Sequence, residues 1–154
     1  MPHHKTTFVF RKWLSLSFFS LVLFSFGIGA QAQEPYTRTT AMIPMRDGVK
    51  LNTSIYTPTK PNENFPILLL RTPYGIGDAA PAQIAAALPE ITADGYIIVQ
   101  QDIRGLHNSE GQFVMNRPIV GPLNNTGIDE STDAYDAIDW LVKNVPESNG
   151  KVGT

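Results

Sequence analysis

Apolar and polar positions change their spacing partway along this chain. From Thr39 to Tyr56 they alternate; from Phe65 onward apolar residues run together in short blocks separated by helix-like stretches. Thr39 to Pro44 alternates as a half-buried strand does. Arg46-Asp47-Gly48 is a turn signal, with Gly48 suited to a positive φ. Lys50 to Tyr56 alternates again, with Leu51, Thr53 and Ile55 on one face and Asn52, Ser54 and Tyr56 on the other. The two segments predict an antiparallel hairpin, and Pro58 to Asn62 an exposed loop.

Ile67-Leu68-Leu69-Leu70 is a continuous apolar run, the mark of a strand buried on both faces, and Arg71-Thr72-Pro73-Tyr74-Gly75 ends it. Pro81 to Asp94 is alanine-rich and predicts one or two short helices, interrupted at Pro89. Tyr96-Ile97-Ile98-Val99 is a second doubly buried strand. Ile103 to Asn125 carries scattered Gly, Pro and Asn, and irregular loops of that length are uncommon in a compact domain unless functional. A helix follows: Ala134, Ala137, Ile138, Leu141 and Val142 form one apolar stripe. Asp129, Glu130 and Asp133 suit the positive end of its dipole, Lys143 suits the other end, and Pro146 stops it. Lys151 to Thr154 opens a further parallel strand. The fold class is therefore α/β, an antiparallel hairpin leading into a mostly parallel sheet with flanking helices.

The first residues belong to a different pattern. Lys5, Arg11 and Lys12 form a positive region, Trp13 to Ile28 is apolar, and Ala30-Gln31-Ala32 is a small-x-small cleavage site. Residues 1–32 read as a cleaved export signal rather than a membrane anchor, because the apolar stretch is short of the ~20 residues a span needs. The expectation is a periplasmic or secreted protein with no membrane association after cleavage, whose mature portion is 33–154. The 154-residue chain has a formal net charge of −2, which gives no basic excess for nucleic acid. It has no cysteine, which excludes disulfides, thiolate metal sites and a cysteine nucleophile.

Few residues could carry chemistry. After signal removal His107 is the only histidine, set in the irregular loop and read as a polar loop residue. Glu130, Asp133, Asp136 and Asp139 recur every third residue but lack the alternating ligands and central Gly of a calcium loop, so they read as a solvated helix face. Gly75-x-Gly77 lacks the rest of a dinucleotide fingerprint. Asn52-Thr53-Ser54 and Asn124-Asn125-Thr126 match the glycosylation sequon. Tyr74 stands at the C-terminal end of a buried strand, where open α/β sheets bind ligands. It is either an ordinary loop aromatic or a phenol placed to donate to a developing oxyanion.

Met45-Arg46-Asp47-Gly48-Val49, Leu70-Arg71-Thr72-Pro73-Tyr74-Gly75, Gln101-Asp102-Ile103-Arg104-Gly105 and Ser109-Glu110-Gly111 together resemble the cocaine-esterase-like (CocE/NonD) branch of the α/β hydrolases, the X-Pro dipeptidyl-peptidase superfamily. Val114 to Pro118, Gly121 to Asn124 and Asp129 to Gly153 look most like its α-amino-acid ester hydrolases. The resemblance implies a serine hydrolase of small ester, amide or peptide substrates that needs no cofactor and no metal. It gives Tyr74 the oxyanion-hole hydroxyl. It places the nucleophile in a G-x-S-Y-x-G elbow after the strand that Lys151 starts, followed by acid and histidine, an order that excludes His107. On this reading 33–154 is the N-terminal portion of the catalytic domain, inactive alone. An X-Pro dipeptidyl-peptidase, a glutaryl-acylase-like hydrolase, a plain esterase and, in another class, a noncatalytic exported α/β binding module are the alternatives. Asp102, Arg104, Ser109 and Glu110 are motif residues rather than catalysts, with Arg104 expected to pin the loop through its fork of donors.

Overall fold

The computed structural model describes Met1 and residues 35–60 and 63–154. The chain divides into two units, Met1–Gln31 and Ala32–Thr154, and the fold described here belongs to the second. The export signal read in residues 1–32 lies outside the described residues, apart from Met1. No helix among the described residues is long and apolar enough to cross a membrane.

The hairpin is β1 (Tyr36–Pro44) and β2 (Lys50–Pro58), in register from Tyr36 opposite Pro58 to Pro44 opposite Lys50. Gly48, at φ 86°, turns it, a conformation that costs a glycine little. Then come β3 (Phe65–Thr72), α1 (Pro81–Ala87), α2 (Pro89–Ala93), β4 (Ile97–Asp102), α3 (Glu130–Asn144) and β5 (Ser148–Gly153). The sheet order is β1-β2-β4-β3-β5. β2 pairs antiparallel with β4, while β3 runs parallel to both β4 and β5, so the expected fold class holds.

Helices cover both faces. On one, Leu51, Ile55, Phe65, Ile67, Leu69, Ile97 and Val99 pack under Ala137, Leu141 and Val145 of α3 and its end. On the other, Tyr36, Tyr56 and Ile98 meet Ile84, with Leu68, Leu88 and Ile91 packed alongside. Burying each large aliphatic side chain stabilises the fold by about 1.5–3 kcal/mol. Pro89 separates α1 from α2 as expected, since its ring sits at the first helical position of α2. Asp129 caps α3: its Oδ1 accepts from Thr132 N at 2.7 Å, and Thr132 Oγ1 accepts from Asp129 N at 2.8 Å.

Three expectations need correction. β2 is buried on both faces, Ser54 and Tyr56 included, because α3 covers the Leu51 and Ile55 side of the sheet while Ile84 of α1 packs on the Tyr56 side. β3 is less enclosed than its apolar run suggests, with Leu70 40% exposed beyond the cover of α1 and α2. The acidic face of α3 is an ion-paired face. Asp133 is buried against Arg104, Asp136 grips Arg46 through both oxygens, Glu130 meets Arg71, and Asp139 meets Lys143.

Candidate functional site

β3 and β4 end level with one another, Thr72 opposite Asp102, and the segments that leave them build the site. Tyr74 is 89% exposed. With Pro73, Ile103, Glu130 and residues 113–117 it lines a cavity of about 500 Å³. Phe113, Val114 and Met115 supply apolar wall; Arg117 and Glu130 supply charge of both signs. Among the described residues the Tyr74 hydroxyl makes no hydrogen bond, so it is free to donate into this space.

What surrounds Tyr74 is tied down almost residue by residue. Thr72 Oγ1 accepts from Tyr74 N at 3.1 Å. Pro73 O lies 2.9 Å from His107 Nε2. Ile76 N donates to Asp102 Oδ1 at 3.0 Å, while Asp102 Oδ2 accepts from Asn52 Nδ2 at 2.8 Å. Arg38 reaches Gly77 O and Asp78 Oδ1, and the Tyr56 hydroxyl donates to Ala79 O at 2.9 Å. A loop held this way presents its one free phenol in a preset place, which is what electrostatic preorganisation requires.

The second wall depends on Arg104. Its Nε and Nη2 donate to Asp133 at 2.9 and 2.7 Å, and its Nη1 and Nη2 to Asp47 at 2.7 and 3.1 Å. The expected fork is thus doubled: one guanidinium joins the hairpin turn, the loop after β4 and α3. Hydrogen bonding from Arg104 holds the Asp47 carboxyl below the usual carboxylate range, and the bonds to Asp133 hold the guanidinium firmly protonated. Gly105, at φ 72°, has no room for a side chain, because a Cβ there would meet the Phe113 backbone nitrogen. Glu110 N donates to Lys50 O and Lys50 N to Glu110 Oε2, each at 2.9 Å. Ser109 Oγ donates to Asp102 O at 2.8 Å. Each of the four motif residues is therefore tied to the hairpin, at Asp47, Lys50 or Asn52.

Arg71, partly buried beside the site, gives Nε to Gln101 Oε1 and Nη1 to Glu130 O. Its Nη2 lies 3.3 Å from Glu130 Oε2 but without hydrogen-bond geometry, and burial lowers its pKa. Among the described residues no cluster of three or more His, Asp or Glu could hold a metal. Both sequon asparagines are in structural use. Asn52 Nδ2 serves Asp102, and Asn124 Nδ2 donates to Pro118 O and Ile128 O.

The lining by residues 113–117 and Glu130, and the contact of His107 with Pro73, were not legible in the sequence. That contact joins residues 34 apart, and no spacing rule signals it. The third strand of the site edge, β5, reaches only Gly153, opposite Leu68, four residues short of the level of Thr72.

The family model for X-Pro dipeptidyl-peptidase (S15 family) matches residues 47–154. Cocaine esterase from Rhodococcus sp. (strain MB1 Bresler) is 36% identical over 106 residues, covering 68% of this chain and 16% of that protein. The solved structure of an α-amino acid ester hydrolase superposes with a TM-score of 0.71 at 50% identity, over 82% of this chain and 22% of that one. An aminopeptidase from the marine sediment archaeon Thaumarchaeota archaeon gives 0.69 at 52% identity, over 77% and 20%. This chain spans about a fifth of the length of these relatives or less.

Proposed function

The chain belongs to the X-Pro dipeptidyl-peptidase (S15) family, and from that premise we propose that it supplies the oxyanion-binding part of a serine hydrolase acting on α-amino-acyl esters or amides. The observation that carries this is Tyr74: an exposed phenol with no partner among the described residues, on a loop fastened on both sides, at the cavity where β3 and β4 end.

In this reading a serine attacks the substrate carbonyl, a histidine takes its proton, and the carbonyl oxygen becomes an oxyanion. The Tyr74 hydroxyl donates to that oxyanion, together with a backbone N–H beside the serine. Collapse expels the alcohol or amine, which takes the proton, and water or an amine then releases the acyl group. In this reading the serine, acid and histidine are those that the complete protein of this family would supply. The sheet accommodates this. A β5 continued in register would come level with Thr72 four residues beyond Gly153, roughly 13 Å further along the strand. A nucleophile there would face Tyr74 across the end of β3.

The α-amino-acyl class is favoured because two relatives at about half identity are named as an α-amino acid ester hydrolase and an aminopeptidase. The complete protein is expected to be exported and to label with a fluorophosphonate. It should hydrolyse phenylglycine methyl ester faster than Ala-Pro anilide; the opposite order would assign it to the X-Pro dipeptidase type. Failure to label would remove the serine mechanism.

A further inference from the structure

We propose that His107 is a positioning residue for Tyr74, holding the two residues that flank it so that the phenol stays aimed into the cavity. The inference rests on the oxyanion role proposed for Tyr74. His107 stands outside the Ser, Asp, His order and is not offered as a base.

Three observations meet at this side chain. Its Nε2 lies 2.9 Å from Pro73 O. A carbonyl oxygen only accepts, so Nε2 carries the hydrogen and donates it. The same ring lies against Gly75: a Cβ built there would stand 3.0 to 3.2 Å from ring atoms Cε1, Nδ1 and Nε2. One imidazole therefore bonds the residue before Tyr74 and packs on the residue after it. Finally, His107 has φ 49°, one of two left-handed non-glycine residues among those described. Such a conformation is uncommon, and histidine is among the side chains that tolerate it. It aims the ring back across from the loop after β4 to the loop after β3.

The geometry accounts for what the other fastenings leave open. Tyr74 N is bonded within its own turn to Thr72, and in this loop the Asp102 carboxylate reaches Ile76, two residues further on. Pro73 has no N–H to anchor, so its carbonyl is the one backbone group through which that residue can be held. Gly75 carries no side chain of its own to pack, and the His107 ring is the surface that lies against it. Gly75 and His107 are complementary in this account: the missing side chain of one makes room for the ring of the other.

A double-mutant cycle in the complete protein tests this. Tyr74→Phe sets the loss that belongs to the hydroxyl. His107→Phe, which keeps a ring but removes the donor, should lower kcat about 10-fold or more with little change in KM, because misplacement by about an ångström costs up to 10²-fold. The double variant should be no slower than Tyr74→Phe alone, and His107→Gln, which retains an N–H of similar reach, should recover most of the rate. His107→Asn tolerates the left-handed backbone and lacks that reach, so it should show the same loss and keeps the test decisive if His107→Phe does not fold. Additive losses in the double variant, or a kcat within twofold of the original for both His107→Phe and His107→Asn while Tyr74→Phe is slow, would overturn the proposal and leave the function of Tyr74 standing. A Tyr74→Phe enzyme of undiminished kcat would overturn both.

Discussion

Asp102 Oδ1 accepts the backbone N–H of Ile76 at 3.0 Å, so the last residue of β4 fixes the loop that leaves β3. The same carboxylate takes Asn52 Nδ2 from the hairpin, and its backbone carbonyl takes Ser109 Oγ. Asp102→Ala leaves the buried Ile76 N–H and the Asn52 amide without their acceptor. Each such group costs about 1–3 kcal/mol. Chemical denaturation should show that destabilisation, and kcat should fall with it because the loop carrying Tyr74 is released.

Arg104 should behave as the central brace of the second wall. It is 4% exposed and Asp133 is 1% exposed, so Arg104→Met strands a buried carboxylate. Removing one partner of a buried pair costs about 3–5 kcal/mol. Arg104→Met with Asp133→Leu should regain a good part of that loss, since the buried carboxylate goes with its partner and the one still left without Arg104, Asp47, is partly exposed to water. Urea midpoints of the single and double variants measure both. Equal midpoints for the original and Arg104→Met would contradict the role assigned here.

Gly105→Ala should be more harmful than its size suggests. The new methyl would collide with the backbone of Gln112 and Phe113, and the loop closed by Gly105 N to Glu110 O would have to open. A loss of about 1–3 kcal/mol follows for a side chain forced into that conformation, with displaced backbone adding to it. Because Phe113 lines the cavity, KM should rise as well. Thermal unfolding and steady-state kinetics read the two effects separately.

Acid should weaken the fold through Asp47 and Asp136. Hydrogen bonds from Arg104 and Arg46 respectively lower their folded pKa values. A group whose pKa is depressed by folding stabilises fully above its unfolded value, ordinarily about 3.9 for Asp. It loses that contribution as pH falls through the depressed folded value. Urea midpoints should hold level above about pH 5 and decline below it, with a shallower decline in Asp47→Asn.

The sheet and its order of elements were readable because alternation, apolar blocks and the α3 stripe are local patterns. The end of β4 was legible as the place where Gln101-Asp102-Ile103-Arg104-Gly105 leaves a strand, although Gln100-Gln101-Asp102 looks polar. It remains a strand because Gln101 spends its amide on Thr53 and Arg71 inside the sheet. The acidic positions of α3 gave no sign that Asp133 points inward, because its partner Arg104 lies 29 residues earlier. Tyr74 was legible as a candidate from its place after a buried strand. What holds its loop, from Arg38, Tyr56, and Asp102 with His107, comes from three distant segments that no spacing connects.

The oxyanion role of Tyr74 stands or falls on kcat of Tyr74→Phe in the complete protein, on an α-amino-acid methyl ester that the unmodified enzyme turns over. Loss of one oxyanion donor should lower kcat by about 10²–10³, with KM nearly unchanged and the unfolding midpoint preserved, since the exposed hydroxyl supports nothing else among the described residues. A kcat equal to that of the unmodified enzyme would contradict the account.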